Sequence, residues 1–134
     1  MSILSGKKPV YLGHKLGQLA ALPKSPNCVS SQVLGKANIN PLTFSSRGSK
    51  AWTALIRVMN AHQGASQTEV NDSYMHIECK TPLLGFVDDL EFYLDEPNKV
   101  IHVRSASRLG YSDLGKNRQR VEHIRSVFTK RESE

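Results

Sequence analysis

Several features that usually declare a function are scarce in this chain of 134 residues. The basic face expected for its last helix lacks interleaved aromatics and any recognisable nucleic-acid-binding motif, so that face is expected to be simply solvated. The chain's two cysteines, Cys28 and Cys79, lie far apart and belong to no C-x-x-C pair, so thiols alone make no zinc site. They are expected to be reduced and buried, each behaving as a small apolar group. The longest apolar run is Leu19-Ala20-Ala21-Leu22, far short of the ~20 residues a membrane helix needs. Lys7 and Lys8 have no apolar stretch behind them, so no signal peptide is expected and the cytoplasm is the expected location. No glycine-rich phosphate loop follows a strand, and no G-x-S-x-G elbow is present.

Acid is missing from the first fifty residues altogether, and this asymmetry says more than the net charge of +6. Residues 1–50 carry net +7, residues 51–103 carry −5, and residues 104–134 carry +4. Basic ends folding onto an acidic middle is the first reading of that pattern, and two basic surfaces for an anionic partner is the second. With no run of Lys or Arg, internal pairing is the reading adopted, and a nucleic-acid partner is not expected.

What is present divides into an arm and a patterned remainder. Residues 1–48 are rich in Gly and Pro yet keep spaced anchors such as Val10, Leu19, Val29, Ile39 and Phe44, which predicts a long irregular arm laid over a core. Residues 49–63 predict a helix: Trp52, Leu55, Ile56 and Met59 share one face, Ser49 is the expected N-cap, and Gly64 stands where a left-handed residue is favoured. Residues 73–80, 86–94 and 99–105 alternate with period two and predict antiparallel strands. From about Asp113 to Thr129, Leu114, Val121, Ile124 and Phe128 predict a second helix capped by Ser112. Lys116, Arg120, His123 and Lys130 fall on its expected solvent face, while Asn117 interrupts the apolar one. The fold class expected is α+β, an antiparallel sheet of three or more strands with two helices on one face and an irregular N-terminal arm. The expected division is a flexible or loosely docked 1–14, one domain over 15–130, and a tail at 131–134.

Closing the hairpin symmetrically over Asp95–Asn98 sets Leu94 against Lys99, Phe92 against Ile101 and Leu90 against Val103 on the core face. The polar face then opposes Glu91 to His102 and Asp89 to Arg104. Three chemistries suit that face. Asp89 and Glu91 offer oxygens to a divalent cation, but Arg104, Arg108 and Arg118 are at hand to neutralise them, so no metal and no cofactor is expected. His102 with Asp89 and Ser105 or Ser107 has the residue types of a hydrolase triad, without a nucleophile elbow or a recognisable oxyanion hole. Carboxylates and forked guanidiniums also form structural pairs.

Two stretches carry a resemblance. Ser25-Pro26-Asn27-Cys28-Val29-Ser30-Ser31-Gln32 is one, and Gly85 to Phe92 continued by Ile101 to Glu122 is the other. Together they resemble the bacterial and plastid family of domain of unknown function 1499, over about residues 15–128. The resemblance implies a small α+β domain with no established enzyme activity. Many relatives carry a signal, lipoprotein or membrane segment, which makes the envelope the alternative location. Many also carry a Cys-Pro pair before the Pro-Asn-Cys motif, where this chain has Leu22-Pro23.

Within the resembling stretches, Asn27, Cys28, Ser30, Ser31 and Gln32 are expected to form the arm's docking motif. The candidate ligand-binding residues are Asp88, Asp89, Glu91, His102, Arg104, Ser107, Arg108, Tyr111, Asp113, Asn117 and Arg118. The function expected is a non-catalytic binding or accessory module for a small anionic or envelope-derived ligand. The alternatives are an enzyme using Asp89, Glu91 and His102 on an anionic substrate, and a protein-interaction domain using the basic last helix.

Overall fold

The computed structural model describes residues 6–24, 26–82, 84–109 and 115–134. Its centre is the hairpin of β7 (Val87–Asp95) and β8 (Val100–Ser107). Beside β7 lie β6 (Tyr74–Lys80) and then β5 (Ala65–Val70) at one edge. On the other side of β8, two pieces of the arm add to the same edge, β3 (Cys28–Ser30) and β4 (Leu42–Thr43). All pairings in this six-stranded sheet are antiparallel. A separate two-stranded ribbon, β1 (His14–Lys15) with β2 (Gln18–Leu19), precedes it.

Helices α1 (Gly48–Ala61) and α2 (Lys116–Glu132) cover one face of the sheet. Trp52, Leu55 and Met59 of α1 and Val121, Ile124 and Phe128 of α2 meet Met75, Ile77, Leu90, Phe92, Ile101 and Val103 in one apolar core. Burying such a Leu, Ile or Phe contributes ~1.5–3 kcal/mol each, which is why the period-two and period-3.6 patterns decide the architecture. The Trp52 indole N–H, buried with its ring, donates to the Asn71 carbonyl at 2.8 Å.

Four expectations need correction. First, the β7–β8 register is shifted by two residues: Glu91 opposes Arg104, Tyr93 opposes His102, and Asp89 opposes Ala106 rather than Arg104. The loop is Glu96–Lys99, one position beyond the symmetric closure, because Lys99 adopts φ 54° and its N–H returns to the Glu96 carbonyl. An even shift keeps Leu90, Phe92, Ile101 and Val103 on the core face while changing every partner. Second, α1 starts at Gly48 with Arg47 as N-cap and no side-chain cap, not at a capping Ser49. The amides of Ser45 and Ser46 at its entrance are taken instead by the Glu132 carboxylate, at 3.1 and 3.0 Å. Third, β5 is a polar edge strand in a segment with no strand expectation. Fourth, Arg120 is not on the solvent face of α2; it pairs with Asp88 at 2.7 Å. Ser112 and Leu114 lie outside the described residues.

Candidate functional site

The sheet's second face carries Tyr74, His76 and Glu78 from β6, Asp89 and Glu91 from β7, and His102 and Arg104 from β8. An uncovered face this polar would be wet. Instead Glu91 and Arg104 are completely buried, with residues 11–21 of the arm lying across them, and Asp89 is 1% exposed.

Two ion networks result. In the first, Arg104 Nη1 donates to Glu91 Oε1 at 3.3 Å. The same guanidinium donates through Nε to the Ala20 carbonyl at 3.0 Å and through Nη2 to the Ala21 carbonyl at 3.1 Å, with the Tyr11 ring 5.1 Å away. Glu91 Oε2 accepts the Gly13 amide at 2.7 Å and the Tyr74 hydroxyl. Burial, then the Glu91 hydrogen bond and charge, push the Tyr74 phenol far above its usual range. This network binds the arm by its backbone.

In the second network, Arg108 grips Asp89 with two bonds, Nε to Oδ2 and Nη2 to Oδ1, both 2.9 Å, and Nη2 reaches Glu78 at 2.7 Å. His76 Nε2 lies 2.8 Å from Asp89 Oδ1, and Thr68 Oγ1 sits against its Nδ1. The ladder irregularity between Gln67 and Glu69 is what turns Thr68 toward that ring. Burial alone raises the Asp89 carboxyl, but hydrogen bonds from His76 and Arg108 outweigh it and hold the group below its ordinary value. Among the described residues, no buried side-chain nitrogen or oxygen lacks a hydrogen-bond partner.

The remaining candidates stand elsewhere. His102 bridges Ser31 Oγ at 3.2 Å and Asp95 Oδ2 at 3.3 Å, and lies opposite Tyr93, away from Asp89. Ser31 Oγ also accepts the Val103 amide at 2.9 Å, so that hydroxyl pins the arm to β8. Asp88, Ser107, Asn117 and Arg118 belong to the helix side of the sheet. Asn117 Nδ2 donates to the Asn27 carbonyl at 2.9 Å and to Ser107 Oγ at 3.0 Å, and its Oδ1 accepts from Ser105 and Arg120. Arg118 is exposed and donates to the Lys36 carbonyl at 2.7 Å. The sheet therefore divides the candidate set into two groups on opposite faces. Tyr111 and Asp113 lie outside the described residues.

The Asn27–Gln32 segment is where the arm changes direction. The Asn27 carbonyl accepts Ser107 N–H, and Ser30 and Ser31 continue the pairing with β8 and Ala37. The Gln32 side chain clamps the β1–β2 ribbon, accepting the Leu19 amide and donating to the Gly17 carbonyl, both at 2.9 Å. Cys28 and Cys79 are free and buried, and burial pushes the Cys79 thiol up to about 11.

A protein-family model described as "Protein of unknown function (DUF1499)" matches residues 18–128, a stretch that contains the ion-paired side chains of both networks and Gln32 but not Gly13 or Gly17. The chain belongs to the DUF1499 family. No curated protein and no solved structure matches it. The small α+β architecture of this DUF1499 domain has no helix, among the described residues, long and apolar enough to cross a membrane.

Sequence reasoning passed over Thr68, Arg120 and the backbone groups of Gly13, Ala20 and Ala21. Arg120 was signalled by its spacing of three from Asn117, which puts both on one helix face. Gly13, Ala20 and Ala21 contribute only backbone groups, and nothing in a side-chain pattern marks them.

Beside the start of α2, Lys36, Asn117 and Arg118 line a depression of about 360 Å³ with Pro26 and Val29. There Lys36 and Arg118 are exposed to solvent, while Asn117 is buried.

Proposed function

We propose that this DUF1499 domain is a non-catalytic binding module in which the two ion networks are a clasp and the ligand is met elsewhere. One observation carries the reading. The carboxylates an enzyme would use, Asp89 and Glu91, are at most 1% exposed and already engaged by Arg108, Arg104 and Tyr74, and His102 is turned to Ser31 and Asp95, away from Asp89. A general acid or base has to come within hydrogen-bond reach of a substrate, and both carboxylates are buried with their oxygens engaged. Breaking a buried pair costs ~3–5 kcal/mol, a cost that fits a device for holding the arm. The Arg118 guanidinium, exposed beside Lys36, supplies the forked donor for a small anion.

Native mass spectrometry of the domain purified without denaturation tests this. The expected spectrum has a small anionic adduct that disappears in Arg118→Ala while the melting temperature stays within a degree or two of the parent. An adduct retained in full by that variant, or none in the parent, contradicts the reading.

A further inference from the structure

The eight arginines sort into two sets. Arg104, Arg108 and Arg120 engage buried carboxylates, Arg118 engages the Lys36 carbonyl, and Arg125 engages Glu122 and the carbonyls of Asn40 and Pro41. The other three, Arg47, Arg57 and Arg131, are exposed and make no side-chain hydrogen bond or ion pair with the described residues. All three line one groove of about 400 Å³, together with Lys50.

The gathering has a simple local origin. Arg47, Lys50, Ala54 and Arg57 recur at spacings of three, four and three, which places them on one stripe of α1. Arg131 reaches in from the last turn of α2. Ser49 and Thr53 add hydroxyls to the wall, and Glu134 is the acid among the described residues that line it. Its backbone carbonyl takes the Lys50 ammonium at 3.0 Å. Glu132, the neighbouring acid, is spent on the Ser45 and Ser46 amides, and the Ser46 side chain together with these amides holds its carboxyl below the usual range. Four cations facing one acid repel one another and gain nothing for folding, since none of the three guanidiniums is used internally.

We propose that this groove is a binding site for a phosphate-bearing small ligand carrying two or more negative charges. Guanidinium forks match phosphate oxygens two at a time, and three of them with an ammonium and two hydroxyls meet the acceptors of a phosphate dianion. No aromatic ring is in the lining and Ala54 is its apolar residue, so there is no platform for a nucleobase and no pocket for a hydrophobic tail. The class that fits is a sugar phosphate or an inorganic polyphosphate. The site goes beyond the Lys36–Arg118 depression: Arg118 and Arg131 stand at opposite ends of α2, about 20 Å apart along the helix axis.

The test is a ¹H–¹⁵N titration of the full chain with inorganic pyrophosphate, paired with co-sedimentation on phosphatidylcholine and phosphatidylglycerol vesicles. Saturable shifts at Lys50, Thr53, Arg57 and Arg131 are expected. The Arg57→Gln/Arg131→Gln variant should bind ~10-fold or more weakly at an unchanged melting temperature, and Lys15→Gln, which changes an exposed cation outside the groove, should bind as the parent does. If the double variant fails to fold, Arg47→Gln with the parent's shift map decides the point. Binding of pyrophosphate but not of vesicles identifies a soluble phosphate as the source. Vesicle binding that needs Arg57 and Arg131 and is competed by pyrophosphate identifies a lipid headgroup at the same site. Shifts that rise linearly at every Lys and Arg, or an affinity unchanged in the double variant, overturn the proposal. Because Arg57 and Arg131 are varied here and Arg118 in the mass-spectrometric experiment, either reading can fail without the other.

Discussion

Arg104 sits directly across the β7–β8 ladder from Glu91, and the two side chains, both fully buried, hold the N-terminal arm between them by its backbone. Arg104 takes the Ala20 and Ala21 carbonyls, and Glu91 takes the Gly13 amide. One cross-strand pair therefore satisfies its own charges and fixes a segment eighty residues away in sequence. The Tyr74 hydroxyl completes the Glu91 shell from the next strand.

Tyr74→Phe removes that hydroxyl and leaves Glu91 Oε2 with the Gly13 amide alone. The expected loss is about 1–3 kcal/mol in urea unfolding. Loss of the phenol also removes nothing from the core, so the slope of the transition should stay unchanged.

Asp89 predicts an acid-side effect. Its carboxyl is held below the unfolded value of 3.8, so the native state favours the ionised form. That contribution is complete above the unfolded value and is lost as pH falls through the folded one. Unfolding free energy measured between pH 6 and pH 2 should drop on the acid side, and Asp89→Asn should flatten that part of the curve. An identical acid limb in the variant would show that other carboxylates carry it.

Cys79 should be an inert thiol. Its value of about 11, set first by burial, leaves it neutral at pH 8, so a disulfide reagent should modify it only as fast as the chain opens. Reductant should not change the melting temperature, because both thiols are free. A drop of several degrees with reductant would require a disulfide.

Gly64 should not tolerate a side chain. It has φ +84°, and a Cβ there would meet the Lys80 carbonyl at 2.6 Å. Gly64→Ala is expected to cost ~1–3 kcal/mol from the left-handed conformation, with the contact adding to it.

The core was legible because it depends only on which face a residue occupies. Leu90, Phe92, Ile101 and Val103 keep their face under the two-residue shift, so period-two patterning found them although the assumed turn was one position early. The partners of Asp89 and Arg104 depend on the register itself, and register depended on Lys99 taking a positive φ, which a lysine does not advertise. The arm's path was illegible for a different reason. It is held through Gly13, Ala20 and Ala21 backbone groups, and every residue has those. β5 escaped because an exposed edge strand needs no alternating apolar face, and Ser66, Thr68 and Glu69 show none. The resembling stretches did mark where arm, hairpin and α2 meet, at Asn27, Ser107 and Asn117.

The central claim is that the buried networks are a clasp while Arg118 is available to a ligand. Urea unfolding of Arg104→Ala, Arg108→Ala and Arg118→Ala tests it most directly. The account predicts that the first two lose ~3–5 kcal/mol, each stranding a buried carboxylate, and that Arg118→Ala stays within ~0.5 kcal/mol of the parent. Near-parental stability in Arg104→Ala and Arg108→Ala, or an equal loss in all three, would contradict it.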